Sequence, residues 1–531
     1  MWANEVNSLT KANVVLPKYD VEAMRKKTDE APVWAHLGGG NLYRCFHAKV
    51  AQDLLNEGLM DTGVIVFDIF GKALIEEGYL ANDNKTLSVI MKADGSVEKE
   101  LIASTAKSGY YNVENPEFVT DMEKTFENES LQLVTVTITE KGYTVKNIDG
   151  ALTEQAALDI QNGPVFEKLE STMGKVAYLM FKRFENGAAP LALVTTDNFS
   201  HNGERFKTSI LTIAKGWVES GHVSEDFVSY LSDDAKVSFP FSMIDRITPL
   251  PSETIAADLK SEGIEGMEVT NPGFAAFVNT EETHYLVIED AFPNGRPALE
   301  KAGVYMTDRD TVNNADLMKV CSCLNPLHTS LAVFGCLLGF DRIYKEMQDE
   351  DLLNLVKRVG YVEGLPVVVD PKIIDPKQFI DEVVGIRLVN PNVPDAPQRI
   401  ASDTSQKVGI RFGETIKAYM ESATHEPNEL TFIPLTLAAW LRYLLAIDDA
   451  GAPMVLSPDP LLEELQAELG DIKLGDEVDV HGKLERILSN ESIFGVNLYT
   501  AGLGEKIEEF FKELIAGPHQ VRNVLHRELN K

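Results

Sequence analysis

The chain has 531 residues, 44% hydrophobic and 25% charged, enough for two domains with sizeable cores. Its 49 basic and 82 acidic residues leave a net charge of −33 at pH 7, which argues against nucleic acid and anionic membrane as partners. Four cysteines, Cys45, Cys321, Cys323 and Cys336, are too few and too clustered for a disulfide framework and point to a reducing compartment. The first twenty residues lack a basic segment followed by an apolar one, so no signal peptide is expected. The longest apolar run, Ser330 to Phe340, is too short to span a bilayer. The expectation is a soluble, cytoplasmic protein; nothing speaks to its oligomeric state.

In chain order, Val33 to Leu37 followed by Gly38-Gly39-Gly40-Asn41 reads as a strand turning tightly into a helix over Tyr43 to Leu55. Such a junction aims backbone N–H groups and a helix N-terminus at a phosphate, although Tyr43 stands where a third glycine would complete the G-x-G-x-x-G pattern, and a purely structural junction fits equally. The next apolar run, Gly63 to Phe67, ends in Asp68, placed to accept hydrogen bonds from a ribose diol. Strand-like runs follow at Leu131 to Thr139 and Leu191 to Thr196, each ending in a polar cluster: Thr139-Glu140-Lys141-Gly142-Tyr143 and Asp197 to Gly203. With helices over Ala156 to Gln161 and Phe206 to Val218, the alternation predicts an α/β, Rossmann-like doubly wound sheet, whose ligand lies beyond the carboxyl ends of its strands. A further strand-like run is Tyr285 to Asp290, and Asp245-Arg246 sits between apolar residues, where a structural ion pair is the plain reading.

After the turn-rich Phe292 to Pro297, helical periodicity takes over: Ser330–Phe340, Ile343–Val356, Leu435–Ile447, Pro460–Leu469, Lys506–Ile515 and His519–Leu529. The expected division is 1–300, dinucleotide-binding, and 301–531, mostly α-helical. At the start of the second part Lys319, Asn325 and His328 fall within ten residues. A lysine can move a hydroxyl proton, an amide can hold a developing oxyanion and an imidazole can orient a substrate oxygen. Asn325 and His328 share a helix face, whereas Lys319, nine residues from His328, lies roughly opposite on an ideal helix. Pro326 should bend or bulge the helix near Asn325. Arg387, Arg399, Lys407 and Arg411 gather in one stretch of an otherwise acidic chain, either a solvated loop or an anion-recognising wall.

Several segments together resemble the polyol-specific long-chain dehydrogenases: GGGNLYRCFHA (38–48), TVTITEKGY (135–143), TTDNFSHNG (195–203), FPFSMIDRITP (239–249), VIEDAFPNGRP (287–297), KVCSCLNPLH (319–328) and DAPQRIASDTSQK (395–407). The resemblance covers nearly the full length. It implies a Rossmann-like domain, a helical domain, NAD or NADP, and no metal. It assigns Lys319 as general base, Asn198 and Asn325 as the oxyanion pair, His328 as substrate-orienting, Asp245 as proton relay and Arg399, with Arg387 and Lys407, as substrate contacts. Gly38, Gly40, Asn41, Leu42, Arg44, Asp68, Thr139, Glu140 and Lys141 become the cofactor residues. Asp68 favours NAD by repelling a 2′-phosphate, while Lys72 nearby could pair with one. The family lysine stands five residues before the asparagine; here the spacing is six, an offset that a π-bulge or the kink before Pro326 would absorb. Cys321 and Cys323 with His328 lack zinc spacing and read as core thiols. The expected reaction is reduction of a keto-hexuronate, D-fructuronate to D-mannonate; a neutral polyol such as mannitol, D-tagaturonate, and a dinucleotide-binding protein with degraded catalysis remain alternatives.

Overall fold

A computed structural model describes residues 6–147, 149–270, 274–470 and 472–531. The chain separates into two compact units, Met1–Asn313 and Asn314–Lys531.

The first unit is built on a six-stranded parallel sheet. Its strands are β1 (Trp34–Leu37), β2 (Val64–Asp68), β3 (Thr105–Tyr110), β4 (Leu133–Val136), β5 (Leu191–Thr195) and β6 (Val237–Ser238). Their order is β3-β2-β1-β4-β5-β6, that of two mononucleotide-binding halves joined at β1 and β4. Every pairing is parallel. The central strands are short and largely apolar because both faces are covered, while the edge strand Thr105–Tyr110 is more polar. Ala35, Leu37, Ile65, Phe67, Val134 and Val136 enter one core. Trp34, Val64, Val66, Leu133, Ala192 and Val194, the alternate positions, enter the other. Helix α1 begins at Asn41, passes through a π turn at Tyr43–His47 and continues as Ala48–Asn56. It covers the second core, while α2 (Thr172–Glu185) and α3 (Asn202–Glu219) cover the first.

Two small sheets flank this frame: Phe277–Glu281 with Thr86–Met91 and Val97–Ile102, and Tyr305–Thr307 with Tyr285–Glu289 and Ser242–Asp245. The run expected as one strand over Leu131 to Thr139 stops at Val136, because Thr139 takes a left-handed φ of 68° and turns the chain.

The second unit is helical among the described residues. Its central helix, α4 (Asn325–Leu338), buries nearly every side chain and packs against Pro397–Ile400 and Phe432–Tyr443. The helix expected over Ile343–Val356 is two, Ile343–Glu346 and Glu350–Lys357, because Asp349 caps the second by accepting from Leu352 N at 3.1 Å. By length and composition one helical run, Arg309–Leu338, could cross a membrane, but 83% of its most apolar stretch is buried, as in a core helix.

Candidate active site

In the first unit the parallel register brings the ends of β1, β2, β4 and β5 to one edge. Leu37 is level with Phe67 and Val136, and Val136 with Thr195. Gly38 turns the chain there at φ +103°, and a Cβ would lie 2.0 Å from the Thr137 carbonyl oxygen, so only glycine fits. Its N–H bonds Phe67 O at 2.9 Å. Asp68 organises the turn. One carboxylate oxygen accepts from Phe70 N at 2.9 Å and Gly71 N at 2.5 Å, the other from Gly39 N at 3.1 Å. Three bonds leave the carboxylate with acceptor capacity for a ribose hydroxyl. Gly40 is open, with nothing within 4 Å of a Cβ, and Asn41 and Leu42 open the helix behind it. These residues fit a dinucleotide. Asn41 Nδ2 also reaches Pro249 O at 3.4 Å.

Arg44, expected among the cofactor residues, is instead fully enclosed. It donates to Thr86 Oγ1 (3.1 Å) and Ala275 O (2.7 Å) and lies over the Tyr79 ring. Its side of the helix faces the flanking sheet, where backbone carbonyls need donors.

The loop after β4 is held from β5. Asp197 accepts from Ile138 N and Thr139 N, both at 2.9 Å, and from the Tyr143 hydroxyl at 2.6 Å. Burial raises its carboxyl above the ordinary value. Thr139 thus contributes its backbone to this tie, Glu140 pairs with Arg205, and Lys141 is exposed. Asn198, exposed, follows Asp197 directly. Asp197 is the anchor of this motif, and its signal in the sequence is an acidic residue next to the asparagine at a strand end.

Beneath the turn lies a buried polar layer that no motif in the sequence announces. His36 bonds Thr135 Oγ1 (2.6 Å) and Thr137 Oγ1 (2.9 Å), and His47 bonds Thr196 Oγ1 (2.8 Å). Burial keeps both imidazoles neutral, pulling His47 down to about 3. Asp245 ends the strand Ser242–Asp245, opposite Tyr285, and is buried. Its neighbour Arg246 bonds Thr280 Oγ1 and the carbonyls of Cys45 and Glu281.

In the second unit Lys319 lies in a π turn, Met318–Cys323, and is 2% exposed. The Leu324 N–H reaches back five residues to Lys319 O at 3.1 Å. The backbone then breaks at Leu324 (φ −127°, ψ −62°), and α4 restarts with Asn325 and Pro326 in its first turn. The extra residue between Lys319 and Asn325 is therefore taken up by a π turn and a kink together, and the ideal-helix phase that opposed Lys319 to His328 does not apply. Lys319 Nζ is 3.7 Å from Asp316 Oδ1.

His328 is half-buried one turn into α4. Burial pulls its imidazole down to about 4; Asp395 opposes the shift, while Arg387, Arg411 and Arg399 add to it. Three arginines of the 387–411 stretch thus bear electrostatically on this histidine. Arg399 binds both oxygens of Asp395, at 2.7 and 2.8 Å. Lys407 donates to Ser402 O at 2.5 Å, and Arg387 is enclosed. Arg411 donates to Thr329 Oγ1 at 2.7 Å. The thiols of Cys321 and Cys323 are buried and pushed up, Cys321 to about 12, so both stay protonated. Among the described residues no three His, Cys, Asp or Glu side chains gather as metal ligands.

A dinucleotide-type strand edge together with a lysine, an amide and a neutral imidazole on one helical run is the equipment of a dehydrogenase acting on alcohol carbons. The sequence profile of the mannitol dehydrogenase Rossmann domain matches residues 34–301, and that of the mannitol dehydrogenase C-terminal domain matches residues 312–515. The chain is 50% identical to the D-mannonate oxidoreductase of Thermotoga maritima over 521 residues, 97% of this chain and 96% of the relative. Two solved structures share the fold, each at 24% identity. A D-sorbitol dehydrogenase in substrate-free form has a TM-score of 0.77, covering 96% of this chain and 97% of its own. Pseudomonas fluorescens mannitol 2-dehydrogenase, in ternary complex with NAD and D-mannitol, has a TM-score of 0.71, covering 99% of each chain. The chain belongs to the mannitol dehydrogenase family, whose members are dehydrogenases acting on CH–OH groups.

Proposed function

We propose that the protein is an NAD-dependent reductase of a keto-hexuronate, interconverting D-fructuronate and D-mannonate. The observation that supports the substrate class lies beside His328: Arg411 bonds the Thr329 hydroxyl and, among the described residues, no carboxylate, a charge that a neutral polyol would leave unused. The relative at 50% identity bears a D-mannonate oxidoreductase name, in keeping with this reading.

NAD supplies or accepts the hydride. Lys319 gives its proton to the oxygen as the carbonyl is reduced and takes it back when the alcohol is oxidised. Asn198 and Asn325 donate to that oxygen while it carries negative charge. His328, neutral at working pH, orients the substrate by a hydrogen bond, and Asp245 passes the proton onward. Hydride transfer needs little more from the chain than alignment and the handling of one proton and one charge. NAD is favoured over NADP because Asp68 would meet the 2′-phosphate, while Lys72 is engaged by Glu114 at 2.7 Å.

The test is NADH oxidation with D-fructuronate, D-tagaturonate and D-fructose at equal concentrations. The expected result is turnover of D-fructuronate far above that of D-tagaturonate, with D-fructose reduced only slowly. Equal or better turnover of D-fructose would move the protein to the neutral polyols, and no rate with any of the three would return attention to the displaced lysine.

A further inference from the structure

The cations around His328 are not equivalent. Arg399 spends its charge on Asp395 in a two-pronged pair. Lys407 is turned onto the Ser402 carbonyl. Arg411 differs from both: among the described residues its side chain bonds one group, the neutral Thr329 hydroxyl, and no carboxylate pairs with it. The charge that bears on it is Arg399, of the same sign, and with burial this pulls the guanidinium down to about 10. A half-buried guanidinium without a counter-charge is partly stripped of water at a cost that a bound anion would offset.

Its seat is rigid. Arg411 lies in a π turn, Gly409–Gly413, pressed against the backbone of residues 493–495. A Cβ at Gly413 would lie 2.0 Å from Phe494 O, and one at Gly409 would lie 2.8 Å from Ile493 O. Thr329, the partner of Arg411, directly follows His328, and its hydroxyl donates to Asn325 O at 2.9 Å. The guanidinium is thus one hydroxyl away from the backbone of the helical turn that carries Asn325 and His328.

We infer that Arg411 receives the substrate carboxylate and sets the preference for a sugar acid over a neutral sugar, while Arg399, held by Asp395, is left to contact hydroxyls. The planar fork of Arg411 offers a carboxylate two parallel bonds, which a lysine could not. This rests on the keto-uronate reading above and names the residue that enforces it.

The experiment compares wild type with Arg411→Met and Arg411→Lys, using D-fructuronate and D-fructose with saturating NADH. For Arg411→Met the KM for D-fructuronate should rise on the order of 30-fold or more, as expected for loss of a charge-assisted contact, while the KM for D-fructose changes by a far smaller factor. Arg411→Lys should fall between. Competitive inhibition of the wild type by D-gluconate but not by D-sorbitol provides a readout that needs no variant to fold. Wild type inactive on every uronate would overturn the functional reading itself. An active wild type whose D-fructuronate KM survives Arg411→Met would overturn this inference alone, as would equal losses on both sugars or equal inhibition by the acid and the alditol.

Discussion

Glu346 and Lys319 show how burial sets the behaviour of single side chains. Glu346 is fully buried against Gly335, and among the described residues neither carboxyl oxygen has a hydrogen-bond partner. Burial first, then Asp395 and Asp349, push its carboxyl up to about 9. Between the ordinary value near 4.5 and about 9, the unfolded chain has released this proton and the folded protein still holds it. Stability therefore falls as pH rises through that window, by on the order of 3 kcal/mol at pH 7. Glu346→Gln should leave the urea midpoint nearly unchanged at pH 5 and stabilise the protein by about 2 kcal/mol or more at pH 8; equal effects at both pH values would show that the carboxyl is ionised. His328 runs in the opposite direction. Its imidazole, lowered to about 4, costs stability only as pH falls below 6.5, and it stays neutral where the enzyme works. Lys319 is buried, and Asp316 lies within 4 Å of it. Lys319→Ala should abolish turnover while NADH binding, followed by fluorescence, stays within a few-fold; retained turnover would move the proton-transfer role to another residue.

At the scale of elements, the Rossmann frame was legible because its strands are unbroken apolar runs closed by glycine or a polar cluster. Val33–Leu37, Gly63–Phe67 and Leu191–Thr196 all sit within a residue of β1, β2 and β5. Thr105–Tyr110 and Val237–Ser238 of that sheet were not legible, and of the flanking sheets only Tyr285–Glu289 was: Val97–Ile102 is mostly polar and finds its place only by pairing with Thr86–Met91. Arg44 lay inside a recognisable motif, yet a motif does not say which side of its helix faces the ligand. The Asp395–Arg399 pair was readable from its i, i+4 spacing, but whether Arg399 keeps its charge for a substrate depends on that pairing in three dimensions. The π turns are the least legible elements, since each depends on one residue in excess of the helical repeat, and only the Lys319–Asn325 spacing gave that away. The turn that carries Arg411 depends on a close approach that two glycines permit. Gly413→Ala must push it off the Phe494 carbonyl. The expected cost is about 1–3 kcal/mol of stability, seen as a lower Tm, together with a raised KM for D-fructuronate. An unshifted Tm would mean that the turn moves freely and that the seat of Arg411 is not fixed.

Over the whole molecule, a net charge of −33 confronts an enzyme proposed to take an anionic substrate. The long-range field repels the uronate, and the arginines near His328 attract it only at short range. Salt separates the two effects because it acts on distance. The Debye length is about 30 Å at 0.01 M ionic strength and about 10 Å at 0.1 M, so added salt first removes repulsion from the distant acidic surface. Contacts inside a desolvated site are screened much less. With NADH saturating, kcat/KM for D-fructuronate should therefore rise severalfold between 0.01 and 0.1 M, while that for neutral D-fructose stays flat. In Arg411→Met the rise should persist from a lower baseline, because the acidic surface is untouched. If kcat/KM for the uronate falls with salt over this range instead, the local arginine field reaches beyond the site and outweighs the acidic surface, and the net charge has no part in substrate capture.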